Sequence, residues 1–247
     1  MFACFLVLAG CLVPGQPPAP QHYRIDLRLR WSIDRPAVDT NQQRGTATEV
    51  AWISVTHPDD DRRALVVIDS LTTSGTGLME MTFDTSVGRK ARGVSYDVHL
   101  VDGKIQEPVT PSTQSPATAS LAQAIRMLFP LVRTKAAIGD RWPDSSLVSS
   151  TGHGGTLSGV TVTQWRVTAI RHDTLVLVGA TTGHSVVTGG MPSTSTRTGT
   201  ETLIVAPGGS VWAATNEMEQ DMINTRSDTT ERIGAKGTAS VTIQRIR

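Results

Sequence analysis

The chain has 247 residues, with 23 Lys and Arg against 22 Asp and Glu and a formal net charge of +1. A balance this close lacks the basic footprint of a nucleic-acid binder, so no nucleic-acid partner is expected. No apolar stretch reaches the ~20 residues of a membrane-spanning helix, and the abundance of Thr and Val, both stiff at χ1, points to β structure.

At the N-terminus, Phe5-Leu6-Val7-Leu8 is followed by Ala9-Gly10-Cys11 and then by Pro14-Gly15-Gln16-Pro17-Pro18-Ala19-Pro20. An apolar run, small residues and a cysteine together resemble the lipobox of bacterial lipoproteins, where a signal peptidase cuts before a lipidated cysteine. The resemblance implies a signal peptide over residues 1–10, a lipid on Cys11 and a tether over residues 11–22. It also implies a membrane partner reached through the anchor. The first ten residues hold no Lys or Arg, and the apolar run is at the short end of the usual ~7–15 residues. A start site upstream of Met1 would account for both. Leu12 follows the cysteine in place of an Asp retention signal, which favours the outer membrane, facing the periplasm. Cys4 is the other cysteine, so the globular part has no disulfide available and must rely on its core. The Pro-rich tether should be extended, at ~3.1 Å per residue.

Folded protein is expected from Tyr23 to the end, as one β-rich domain over residues 23–247. Tyr23, Ile25, Leu27, Leu29, Trp31 and Ile33 alternate with Arg24, Asp26, Arg28, Arg30 and Ser32. Period-two alternation of that length predicts a half-buried strand. Further strands are expected over residues 46–56, 63–71, 78–83, 94–101 and 104–109, with Asp102-Gly103 as a hairpin turn. Ser115-Pro116 has the pattern of an N-cap followed by proline at the first helical position. Leu121, Ala124, Ile125 and Leu128 then share one helical face, which predicts an amphipathic helix near 116–129, stopped by Pro130.

Past the helix come Phe129-Pro130-Leu131 and Ile138-Gly139-Asp140-Arg141-Trp142. These residues resemble an uncharacterised group of bacterial β-rich lipoproteins, in which a Phe-Pro step precedes a Val/Ile-Gly-Asp-x-Trp turn leading into a strand. Read from the residues, Gly permits the turn, Asp bonds backbone amides within it, and Trp plugs the core. Strands are then expected over residues 156–170, 174–188, 194–205, 210–222 and 238–246. The fold class is therefore mainly β: an antiparallel, strongly curved sheet or half-barrel of about ten to eleven long strands with one helix. The layout also resembles lipoprotein-carrier and mycobacterial lipid-binding half-barrels, which implies shelter for lipid.

No catalytic constellation is expected. His57 with Asp59, Asp60 and Asp61 lacks the ligand spacing of a calcium loop, and the six histidines show no zinc pattern. Gly152-His153-Gly154-Gly155 has no Gly-x-Ser-x-Gly partner that would make it an oxyanion loop. No metal and no cofactor are assigned. What remains is the apolar strand faces. Tyr23, Ile25, Leu27, Leu29 and Trp31 on the first strand could line a ligand site, as could Trp212, Met218 and Met222 on a late one, where Met adapts to irregular ligands. The expectation is a non-enzymatic envelope lipoprotein that holds a hydrophobic small molecule or lipid. The alternatives are a scaffold with a solid core and, third, an envelope hydrolase.

Overall fold

The computed structural model describes residues 19–34, 43–58, 62–101, 104–105, 109–133, 135–152, 155–172, 174–189, 192–206, 209–225 and 232–246. Cys11 and most of the tether lie outside them, as do Asp59–Asp61, Asp102-Gly103, His153-Gly154 and Pro207-Gly208. The elements are β1 (Gln21–Asp34), β2 (Gln43–Thr56), β3 (Arg63–Gly77), α1 (Thr85–Lys90), β4 (Ser95–Val101) and β5 (Lys104–Ile105). They continue as α2 (Pro116–Arg126), β6 (Arg141–Gly152), β7 (Gly155–Arg171), β8 (Thr174–Thr188), β9 (Ser193–Val205), β10 (Val211–Thr225) and β11 (Arg232–Ile246).

The strands form one open antiparallel sheet in the order β5-β4-β3-β2-β1-β11-β10-β9-β8-β7-β6. Two meanders meet at its centre, where β1 pairs with β11. The β5-to-β6 connection must therefore carry the chain from one edge of the sheet to the other, and α2 lies in that connection. Its Ser120 reaches Glu49 on β2 and its Arg126 reaches the Leu147 carbonyl on β6. Seven inter-strand steps separate β2 from β6, or about 34 Å in a flat sheet. Six residues of helix span only about 9 Å. The sheet must curl strongly around α2 for both contacts to form, which gives the half-barrel.

Its concave side holds the core. Ile25, Ala51, Ile53, Val66, Ile68, Val167, Leu177, Leu203 and Ile243 face inward from seven strands, and Leu121, Ala124 and Ile125 of α2 pack with them, all fully buried. The α2 N-terminus follows its residues: Ser115 Oγ accepts from Thr118 N at 3.2 Å, and Thr118 Oγ1 accepts from Ser115 N at 2.8 Å. Ser115→Ala should lower stability by about 1 kcal/mol in denaturant unfolding; an unchanged midpoint would show that packing alone holds the helix. Tyr96 on β4 adds a second tie, donating its hydroxyl to the Thr118 carbonyl at 2.8 Å.

Four expectations are corrected. Residues 78–83 are not a strand. Gly77 turns the chain at φ +58, Phe83 N bonds back to the Met79 carbonyl at 3.0 Å, and Met81 is 91% exposed. A second helix, α1, follows instead, capped by Asp84, which accepts from Ser86 N and Val87 N. β6 (Arg141–Gly152) is a strand beyond those expected from the sequence. β11 begins at Arg232, ahead of the expected Thr238.

Candidate functional site

Registers across the sheet sort the concave face into rows. Val167, Leu177, Leu203, Ala214, Ile243, Ile25, Ala51 and Leu71 make an apolar row under α2. The next is Trp165, Gly179, Glu201, Asn216, Val241, Leu27, Glu49 and Thr73. Here two carboxyl groups enter the interior. Glu49 is 1% and Glu201 8% exposed. Ser120 Oγ stands 2.7 and 2.8 Å from the Glu49 carboxyl oxygens and 2.8 Å from the Ala117 carbonyl oxygen. Burial pushes the Glu49 pKa up to about 8, with the Ser120 hydrogen bond opposing it. The neutral acid can donate to Ser120 Oγ, whose own proton then goes to Ala117, so every group is satisfied. Glu201 is raised too, by burial, although Thr181 Oγ1 donates to it at 2.7 Å.

Between α2 and strands β6 to β9 lies a cavity of about 60 Å³, lined among others by Arg126, Asp144, Thr163, Trp165 and Glu201. Burial lowers the Arg126 pKa and the Asp144 charge counters it. Trp165 lines this space, and its buried Nε1–H has no acceptor among the described residues. Pockets for drug-sized ligands run to ~300–1,000 Å³. This one suits a few water molecules bonded to its polar wall, not a hydrocarbon chain.

The outer rows at the far end of the barrel differ. One is Thr163, Thr181, Gly199, Met218, Ala239, Leu29 and Ala47. Another is Thr161, Gly183, Arg197, Gln220, Gly237, Trp31 and Gly45. The last is Gly159, Ser185, Ser195, Met222, Ala235 and Ile33. Leu29, Trp31, Ile33 and Met222 are only partly buried here. The Trp31 ring lies over Gly237: a Cβ there would come within 2.9 Å of its Cε2 and Cζ2. Glycine at that position lets the indole lean from β1 towards β10. The far end thus offers an amphipathic groove, apolar on β1, β11 and β10 and polar on β8 and β9.

The residues expected to line a ligand site divide accordingly. Tyr23, Ile25 and Leu27 are buried in the core that also holds Leu121, Ala124 and Ile125 of α2. Leu29, Trp31, Met218 and Met222 come together at the far end. Trp212 is displaced from the stripe with Met218 and Met222: the register shifts between Val211 and Ala213, and this bulge leaves Trp212 42% exposed with Arg245 stacked 5.6 Å from its ring centroid. The Asp140 turn matches its reading, with Gly139 at φ +96, Ala137 N donating to Asp140 Oδ2 at 2.9 Å, and Trp142 2% exposed. Arg197 and Glu201 were missed, because neither face of β9 is apolar at those positions. Among the described residues, no group of three or more His, Cys, Asp or Glu could hold a metal ion, and no helix is long and apolar enough to cross a membrane.

No protein-family model matches the chain, and no curated protein matches it in sequence. Solved structures are similar in part. A lipovitellin structure described by its lipid-protein interactions aligns at TM-score 0.47 and 13% identity, covering 93% of this chain and 26% of that one. The chain thus spans about a quarter of that lipovitellin. Neisserial surface protein A aligns at TM-score 0.23 and 9% identity, covering 93% of this chain and 100% of its own. OccK5 of Pseudomonas aeruginosa aligns at TM-score 0.30 and 7% identity, covering 92% and 98%. All three are likenesses of β architecture alone.

Proposed function

We propose that this chain is a cell-envelope lipoprotein, lipidated at Cys11, whose curved sheet binds a hydrophobic small molecule or lipid without catalysing a reaction. The carrying observation is the partly buried apolar bed of Leu29, Trp31, Ile33 and Met222 on β1 and β10, the two strands that flank β11. Apolar side chains left open on a concave face gain ~25 cal/mol for each Å² a ligand covers. The anchor follows from the lipobox resemblance, and Leu12 after the cysteine favours the outer membrane on its periplasmic side.

The full chain carrying Cys11→Ser provides the test for ligand binding. A brominated fatty acyl chain should quench Trp31 fluorescence on contact, and Trp31→Phe should remove that component. Absence of quenching by any such chain would overturn the reading. Separately, labelling cells with a radioactive lipid precursor should mark the wild type and not Cys11→Ser; equal labelling would refute the anchor.

A second reading is favoured by the small size of the cavity beside α2, about 60 Å³. With α2 filling the concave face, the domain would be a scaffold with a solid core and a working outer surface. That reading expects no acyl-chain binding and a specific crosslinked protein partner, whose identity is open.

A further inference from the structure

We propose that the groove at the far end of the barrel takes an anionic amphiphile, with Arg197 as the counter-ion of its head group and Trp31, Leu29 and Met222 as the bed of its chain. The proposal rests on the ligand-binding reading above and names its ligand class.

Arg197 stands on the concave side of β9 and is partly buried. Among the described residues its one polar contact is a long one: Nη2 donates to Gln220 Oε1 at 3.4 Å. Gln220 Nε2 donates in turn to Ser195 Oγ at 3.2 Å, and the Ser195 and Ser185 hydroxyls lie 2.7 Å apart. Every partner is neutral. A guanidinium offers five N–H donors in a fork shaped for carboxylate or phosphate, and here most of that capacity is unused.

The carboxylates that could neutralise Arg197 are engaged elsewhere or turned away. Glu49 is held by Ser120, and Glu201 by Thr181. Asp144 lies in the field of Arg126. Glu217, Glu219 and Asp221 on β10 alternate to the convex face. Among the described residues, none forms an ion pair with Arg197. Burial lowers the Arg197 pKa, with no opposing charge acting on it. A buried charge without a partner is unfavourable, so an incoming anion would relieve it while the apolar rows cover the chain.

The neighbours make one continuous surface. Arg197 is opposite Gln220, which is opposite Gly237, the residue beneath the Trp31 ring. Met222 is opposite Ser195. Polar head-group donors and an apolar bed therefore adjoin across β9, β10, β11 and β1.

The test compares three probes on the full chain carrying Cys11→Ser: 9,10-dibromostearate, its methyl ester, and 1-(9,10-dibromostearoyl)-lysophosphatidic acid. All three carry the same chain and differ in head charge. At least one anionic probe should bind about tenfold or more tighter than the methyl ester, the worth of a charged hydrogen bond. Arg197→Gln should abolish that preference and leave ester binding unchanged, while Arg197→Lys should keep part of it. A preference for the acid alone points to free fatty acid; one for the phosphate points to a phospholipid head. Equal affinity for all three probes in the wild type, or a preference that survives in Arg197→Gln, overturns the assignment of Arg197 while leaving the groove intact. Failure of every probe to bind overturns the ligand reading itself. If Arg197→Gln does not fold, Arg197→Lys supplies the comparison, because it keeps the charge and loses the planar fork: an anionic preference undiminished in it overturns the assignment.

Discussion

Glu49→Gln should make the protein markedly more stable than wild type above pH 8 and flatten its stability across the range from pH 5 to pH 9. Glu49 is 1% exposed and its pKa is raised from 4.5 to about 8. The folded state therefore holds a proton that the unfolded chain releases. For a carboxyl raised in this way, the linked stability is fully present below pH 4.5 and is lost as pH climbs towards 8. The loss across that window is of the order of 3–5 kcal/mol. A neutral amide of the same shape has no such loss, and its NH₂ can still donate to Ser120 Oγ. Denaturant unfolding of both proteins at pH 5, 7 and 9 checks this. Wild-type stability independent of pH, or the same slope in Glu49→Gln, would contradict it. Glu201 shifts in the same direction, so some slope should remain in the single variant and shrink in Glu49→Gln/Glu201→Gln. Since Glu49 ties β2 to α2, ionisation should loosen α2 first, seen as faster amide exchange from Ala119 to Arg126 at high pH.

Trp142→Ala should lower stability by about 3–5 kcal/mol, the usual range for emptying a large aromatic site. Trp142 is 2% exposed, its Nε1 donates to the Leu131 carbonyl at 2.8 Å, and the Arg133 guanidinium sits 5.7 Å from its ring centroid. It stands at the start of β6, the edge strand, and pins the segment that leads out of α2. Trp142→Phe keeps most of the volume and loses the donor, so it should cost only about 1–2 kcal/mol. Equal midpoints for the two variants would show that the hydrogen bond, not the volume, is what matters.

Most of the sheet could be read because one face of each strand is apolar. β1 alternates along its whole length, and its burial follows that alternation from Tyr23 to Leu27. The α2 cap was legible from Ser115-Pro116 because its chemistry is local. β6 was not separable, since its inward positions after Trp142 include Asp144 and Ser146, and an edge strand bordering a polar cavity carries no apolar alternation. Residues 78–83 misled for the opposite reason. Leu78, Met79, Met81 and Phe83 suggest a strand, but the positive φ of Gly77 had already ended β3. The candidate site was half visible. Trp31, Met218 and Met222 stood out by type. The inward direction of Arg197 depends on registers across β8, β9 and β10, where Ser, Thr and Gly occupy both faces. Trp212 was misplaced because a one-residue bulge does not show in composition.

The pairing of β1 with β11 has a consequence for how the chain reaches this state. The centre of the sheet joins two strands separated by the whole intervening domain. Contacts so distant in sequence form slowly, after a large loss of loop entropy. Until β11 arrives, the N-terminal meander presents the bare edge of β1, with its row of unpaired amides and carbonyls. Such an edge invites pairing with other chains. The interval between emergence of β1 and closure of the central seam is thus when this protein is most exposed to misassembly, and when a holding chaperone would have most to shield.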